Sequence, residues 1–169
     1  MKQRNIAFLL AMLLSIVAIQ AFAYNAKVNG IYYYLNNYNK TASVAYESYD
    51  GNSYSGNIVI PETILNDGIT YRVTSISWSA FMNCADLSSI TIPSSVDNIS
   101  GNPFQNCPSL SSIIVSSENK KYNSSNNCNA IIETATNTLI TGCKNTIIPS
   151  NVLHSQDRES PWPPRRSPM

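Results

Sequence analysis

Residues 73–95 and 96–118 are copies of one another, and this repeat constrains the fold more than any other feature of the chain. At a shift of 23 residues, Val73 falls on Val96, Ile76 on Ile99, Phe81 on Phe104 and Asn83-Cys84 on Asn106-Cys107. Leu87-Ser88-Ser89-Ile90 falls on Leu110-Ser111-Ser112-Ile113, and eleven of 23 positions are identical. The matches fall on the apolar anchors, where chance similarity has no reason to place them. A unit this short cannot enclose its own apolar face, so it buries that face by stacking on the next copy. Leu87, Ile90 and Ile92 have the spacing L-x-x-L-x-L, which predicts a short strand sending alternate side chains inward. Successive strands then lie roughly 4.8 Å apart in a parallel ladder. Pro93 ends the strand where no ladder bond is required. Phe81 and Phe104 fill the wider part of the coil, with a helical turn or short helix over 79–84. The stacking predicts Phe81 beside Phe104 and Ile90 beside Ile113.

Weaker copies flank the pair. Ile60-Pro61 with Ile64, and Ile148-Pro149-Ser150 with Val152, both match Ile92-Pro93-Ser94 with Val96. The array is therefore expected to start near Ile58 and still to be running at Val152. Between these lies an irregular, Asn-rich unit over 116–144, with strands predicted at Ala130-Ile131-Ile132 and Thr138-Leu139-Ile140 and a turn from Thr134 to Asn137. Before the array, residues 24–54 carry eight of the ten tyrosines. Strand-like runs appear at Ile31–Leu35 and Ala42–Tyr46, separated by a polar turn from Asn36 to Lys40. Asp50-Gly51 and Asp67-Gly68 are further turn signals.

The two ends differ from this body. Lys2 and Arg4 precede an uncharged, mainly apolar run from Ile6 to Ile19, followed by Ala21-Phe22-Ala23. That order is the pattern of a secretory leader, and the run is shorter than the ~20 residues that span a bilayer. Residues 1–23 are read as a signal peptide, leaving no membrane span after cleavage. Ser155 to Met169 holds four of the nine prolines and three arginines with no apolar periodicity. The 153–169 stretch is read as a disordered, Pro/Arg-rich tail, or as an aberrant gene end. Charged residues make up 12% of the chain and the net charge is +1, so no basic face is available in bulk for nucleic acid.

The pattern Ala80-Phe81-x-Asn83-Cys84-x-x-Leu87-x-x-Ile90-x-Ile92-Pro93 resembles the BspA-like leucine-rich repeats of bacterial surface proteins, and 127–149 resembles the irregular unit often set between their regular coils. The Tyr-rich segment resembles the N-terminal caps of exported members. The resemblance implies a mainly β, right-handed leucine-rich-repeat solenoid over 58–152 with a parallel β-ladder and short helical turns, behind a β-hairpin cap at 24–57. It implies a chain secreted by, or displayed on, a bacterium, adhering to an extracellular or host protein. Only two coils are regular and no C-terminal cap follows, so the chain reads as the front end of a longer protein, prone to self-association through its last coil.

Catalysis has little support. The single histidine, His154, borders the tail, and the eight acids between Tyr24 and His154 are scattered. No close Cys-x-x-Cys or histidine pair suits a metal, and no Gly-rich phosphate loop is present. No catalytic residue, metal or cofactor is therefore assigned. Cys84 and Cys107 occupy the same position in successive coils and are expected as small buried apolar groups, although export also permits a disulfide. Cys128 and Cys143, flanking the irregular unit, are a second candidate pair. If Leu87, Ile90 and Ile92 point inward, Ser89 and Thr91 point outward, with Ser112 and Ile114 as counterparts. These four make the first candidate surface, for a protein. Tyr32 and Tyr34, with Tyr33 and Tyr38, make a second, suited to protein or to glycan as a carbohydrate-binding module. A hydrolase of unrecognised type is the third reading.

Overall fold

The computed structural model describes residues 24–48 and 53–153. The expected leader, the Asp50-Gly51 turn and the tail from His154 onward lie outside them. Among the described residues the chain is mainly β, with twelve short strands and one three-residue 3-10 helix at Ser125–Asn127. The strands are β1 (Ala26–Val28), β2 (Ile31–Asn36), β3 (Thr41–Val44), β4 (Gly56–Val59), β5 (Thr63–Asn66) and β6 (Ile69–Ile76). They continue as β7 (Leu87–Ile92), β8 (Asn98–Ile99), β9 (Ser112–Val115), β10 (Tyr122–Asn123), β11 (Ala130–Glu133) and β12 (Thr138–Gly142).

The repeat produces two parallel stacks. In one, β4, β7 and β9 lie side by side, with Ile58 opposite Ile90 and Ile90 opposite Ile113. In the other, β3, β6 and β8 do the same, with Val44 opposite Ile76 and Ile76 opposite Ile99. Each coil contributes one strand to each stack. Phe81 and Phe104 are stacked at 5.5 Å with 27° between their rings, so both expected neighbour pairs are present. The turns behind the strands are also paired: Phe81 N–H donates to the Pro103 carbonyl and Asn83 N–H to the Gln105 carbonyl, both at 2.9 Å. Residues 78–83 form consecutive turns rather than a helix. Asn83 and Asn106 sit at φ 63° and 58°, a left-handed conformation that asparagine tolerates better than most residues. This gives a reason for the same residue in both copies.

The sheets as a whole are mixed. Two hairpins close on left-handed pairs, Asn29-Gly30 between β1 and β2 and Asp67-Gly68 between β5 and β6. Two consecutive positive φ values suit the twist of a two-residue hairpin. The β5–β6 hairpin lengthens the first coil. Ser89 therefore meets Asn57, 32 positions earlier, whereas Asn106 meets Asn83 at 23. After β9 the strands β10, β11 and β12 pair antiparallel, and one parallel bridge then joins Leu153 to Thr138. β11, β12 and the turn between them fall where the irregular unit was expected. The Ile148-Pro149 copy forms no strand: both residues are irregular, a turn follows at 150–151, and Ile148 is exposed.

One apolar cluster runs from Ala26 to Ile131 through both stacks. Its axis is a column of rings: Tyr24 on Tyr32 at 4.5 Å, Tyr32 on Tyr54 at 5.6 Å, Tyr54 on Phe81 at 4.7 Å, then Phe104. The Tyr54 hydroxyl donates to the Ala45 carbonyl at 2.8 Å and accepts the Tyr32 N–H at 2.9 Å, so this polar tip is satisfied inside the core. From the next coil, the buried Asn119 amide nitrogen reaches back to the Pro93 and Val96 carbonyls, both at 2.8 Å.

Candidate functional site

The outward side of β4, β7 and β9 carries two rows, because side chains alternate across a strand. Register sets Asn57 beside Ser89 and Ser89 beside Ser112, and the Ser89 hydroxyl donates to Asn57 Oδ1 at 2.7 Å. In the second row Val59 lies beside Thr91 and Thr91 beside Ile114. Val59 is 65% and Ile114 50% exposed, whereas Ser89, Thr91 and Ser112 are half-buried. The four residues named from the repeat are thus brought together on one face. Asn57 and Val59 complete it and were missed. The Ile60-Pro61 match to Ile92-Pro93, extended backwards, points to both. The face carries no charge, so it contributes neither attraction to an ion nor a general acid or base.

The tyrosines divide. Tyr32, expected as an exposed platform, is 1% exposed, and this part of the second candidate surface is corrected. Tyr24 and Tyr54 cover its ring, Lys27 Nζ donates to its hydroxyl at 2.8 Å, and that hydroxyl donates to the Glu47 carboxylate. Hydrogen bonds from Ser53, then from Tyr32, hold the Glu47 carboxyl below the usual range. Tyr33 is also buried, and desolvation pushes its hydroxyl well above the ordinary tyrosine value. Tyr34, on the side of β2 that Tyr32 shares, is 51% exposed, and Tyr38 in the following turn is 98% exposed.

The cysteines are unbridged. Cys84 and Cys107 act on each other's titration: the Cys107 side chain, then burial, pushes the Cys84 thiol up, and the Cys84 side chain draws Cys107 down. Cys107 Sγ also lies 2.9 Å from the Phe81 carbonyl oxygen. Cys143 Sγ instead bonds the Asn129 carbonyl at 3.3 Å. The acids are tied into local pairings, Glu62 to Ser94 and Glu133 to Lys121 and Thr136. Among the described residues no cluster of three His, Cys, Asp or Glu is placed to hold a metal, and no helix is long and apolar enough to cross a membrane.

A family model described as the BspA type leucine rich repeat region matches residues 52–156 in six copies. Three solved structures are similar. A leucine-rich repeat protein from Bacteroides ovatus ATCC 8483 is 27% identical over 56% of this chain and 24% of its own, with a TM-score of 0.48. A leucine rich cell surface protein from Faecalibacterium prausnitzii A2-165 is 26% identical over 55% of this chain and 24% of its own, at 0.44. A leucine-rich repeat protein from Bacteroides capillosus ATCC 29799 is 26% identical over 54% of this chain and 64% of its own, at 0.46. The chain thus spans about a quarter of the length of the first two. Comparison with curated proteins gives no match.

Proposed function

The chain belongs to the BspA-type leucine-rich-repeat family, and from that premise we propose that it is an exported surface module that adheres to another protein through the outward side of β4, β7 and β9. One observation carries the reading. Three successive coils present matched positions in register, Val59–Thr91–Ile114 and Asn57–Ser89–Ser112. Exposed aliphatic groups flanked by hydroxyls and an amide, without charge, suit the centre of a protein interface. The proposed frame is a right-handed solenoid whose walls are the two parallel stacks; the contribution of one strand per coil to each stack supports it. A leader at 1–23 and the cell-surface description of a similar protein support display outside the cell. Ile147 and Leu153 are each exposed, which supports self-association through the 147–153 stretch, and sedimentation at two concentrations checks it. No step of this function needs a catalytic group.

The experiment is binding of the purified chain to immobilised extracellular-matrix proteins by biolayer interferometry. Val59→Asp and Ile114→Asp together place two charges in the centre of the face, and a loss of about tenfold or more in affinity is expected. Binding that survives both substitutions unchanged contradicts the assignment of this face.

A further inference from the structure

A second surface lies on the other stack. β2, β3, β6 and β8 are neighbours, and register sets Tyr34 beside Ser43, Ser43 beside Ser75 and Ser75 beside Asn98. One step along β2, Asn36 lies beside Thr41. A slip in the β3–β6 register after Ala42 keeps Ser43 and Ser75 paired. The surface here is hollowed into a cleft of about 470 Å³ whose lining includes Tyr34, Asn36, Asn37, Thr41, Ser43 and Ser75.

The chemistry of the lining is narrow. It contains a half-exposed phenol ring, one leucine, two amides and three hydroxyls, and no charged group. Four of its polar side chains, Asn36, Asn37, Thr41 and Ser43, are already held by neighbours. The Tyr71 hydroxyl donates to Asn37 Oδ1 at 2.5 Å, which fixes the amide and leaves its NH₂ as a donor. Asn36 Oδ1 accepts the Tyr38 and Asn39 N–H groups at 3.0 and 3.3 Å, and Ser43 Oγ is 2.8 Å from Ser77 Oγ. Groups ordered in advance lose little entropy when a ligand arrives.

A sugar ring matches this set: its C–H face packs on an aromatic ring while its hydroxyls exchange hydrogen bonds with amides and hydroxyls. An acidic glycan or a phosphate finds no cation in the lining itself, the nearest by register being Arg72 beside Thr41 at its edge. A protein interface would want an apolar centre inside a polar rim, whereas here the apolar surface comes from Tyr34 and Leu35 and is interleaved with amides and hydroxyls. We propose that this cleft binds a neutral oligosaccharide, stacked on Tyr34 and hydrogen-bonded by Asn36, Asn37, Thr41, Ser43 and Ser75. From β2 to β8 the row spans three strand spacings, roughly 14 Å, room for several sugar units. The site uses different strands from the face assigned to protein binding, so each assignment stands without the other.

The test is calorimetric titration of the full chain with cellohexaose, laminarihexaose and mannohexaose, beside a hyaluronan hexasaccharide as the acidic probe. Saturable binding of a neutral hexasaccharide is expected, weakened about tenfold or more by Tyr34→Ala, largely kept by Tyr34→Phe, and untouched by Val59→Asp. Asn36→Ala with Asn37→Ala, which leaves the ring in place, weakens it as well and covers the case of a Tyr34→Ala chain that does not fold. Binding of none of the neutral probes, binding of the acidic probe alone, or neutral binding indifferent to both Tyr34→Ala and the paired asparagine variant overturns the proposal.

Discussion

Gly101→Ala tests the stacking of coils at a single atom. Gly101 is the counterpart of Trp78 one coil later. Its backbone sits at φ 58°, and a Cβ built there would lie 2.2 Å from Trp78 Cδ1 and 2.8 Å from Nε1. Two costs follow. A left-handed backbone costs a residue with a Cβ about 1–2 kcal/mol. The indole must also swing off the next coil. Trp78 is already 58% exposed, so the swing gives up the covered remainder, on the order of 80–100 Å² of a tryptophan, or about 2 kcal/mol. The sum is about 3–4 kcal/mol, large against the ~5–15 kcal/mol of a typical domain. In a Trp78→Ala background only the backbone cost remains, about 1–2 kcal/mol. Urea unfolding followed by far-ultraviolet circular dichroism, on the two single variants and the double, closes the cycle. A coupling of about 2 kcal/mol is expected. If Gly101→Ala costs the same with and without the indole, Trp78 does not lie on Gly101 and the contact is wrong.

Three further outcomes are expected. Ile90→Ala, at a fully buried position between Ile58 and Ile113, costs about 2–5 kcal/mol in urea unfolding, whereas Ile114→Ser on the opposite face stays within about 0.5 kcal/mol. Asn119→Ala strands the Pro93 and Val96 carbonyls and costs about 1–3 kcal/mol by the same measurement. The Cys84 side chain draws Cys107 down, so Cys84→Ala raises the Cys107 titration; iodoacetamide labelling of Cys107, followed by mass spectrometry across pH, then shifts to higher pH.

The coils at 73–118 were legible because their apolar anchors repeat without insertion, and the neighbours Ile90–Ile113 and Phe81–Phe104 follow from that spacing. The coil before them was only half legible. The β5–β6 hairpin stretches its offset from 23 to 32, so Val44 and Ile58 do not line up with Ile76 and Ile90 at the period found elsewhere. That insertion hid Asn57 and Val59 from the candidate face. Tyrosines mislead for a different reason. Tyr32 and Tyr34 share one side of β2, but only the first is roofed by Tyr24 and Tyr54, and no local pattern tells a covered end of a strand from an open one. The irregular unit was legible as strands, but its antiparallel pairing depends on the turn over 134–137, which no other part of the chain repeats.

The most direct measurement of the whole account is a methyl–methyl NOE spectrum of the chain with labelled isoleucine Cδ1 groups. Cross-peaks are expected from Ile58 to Ile90 and from Ile90 to Ile113, as neighbours in consecutive coils. A spectrum with well-resolved Ile90 and Ile113 signals and no cross-peak between them contradicts the stacking of β7 on β9, and with it the protein-binding face built on that register.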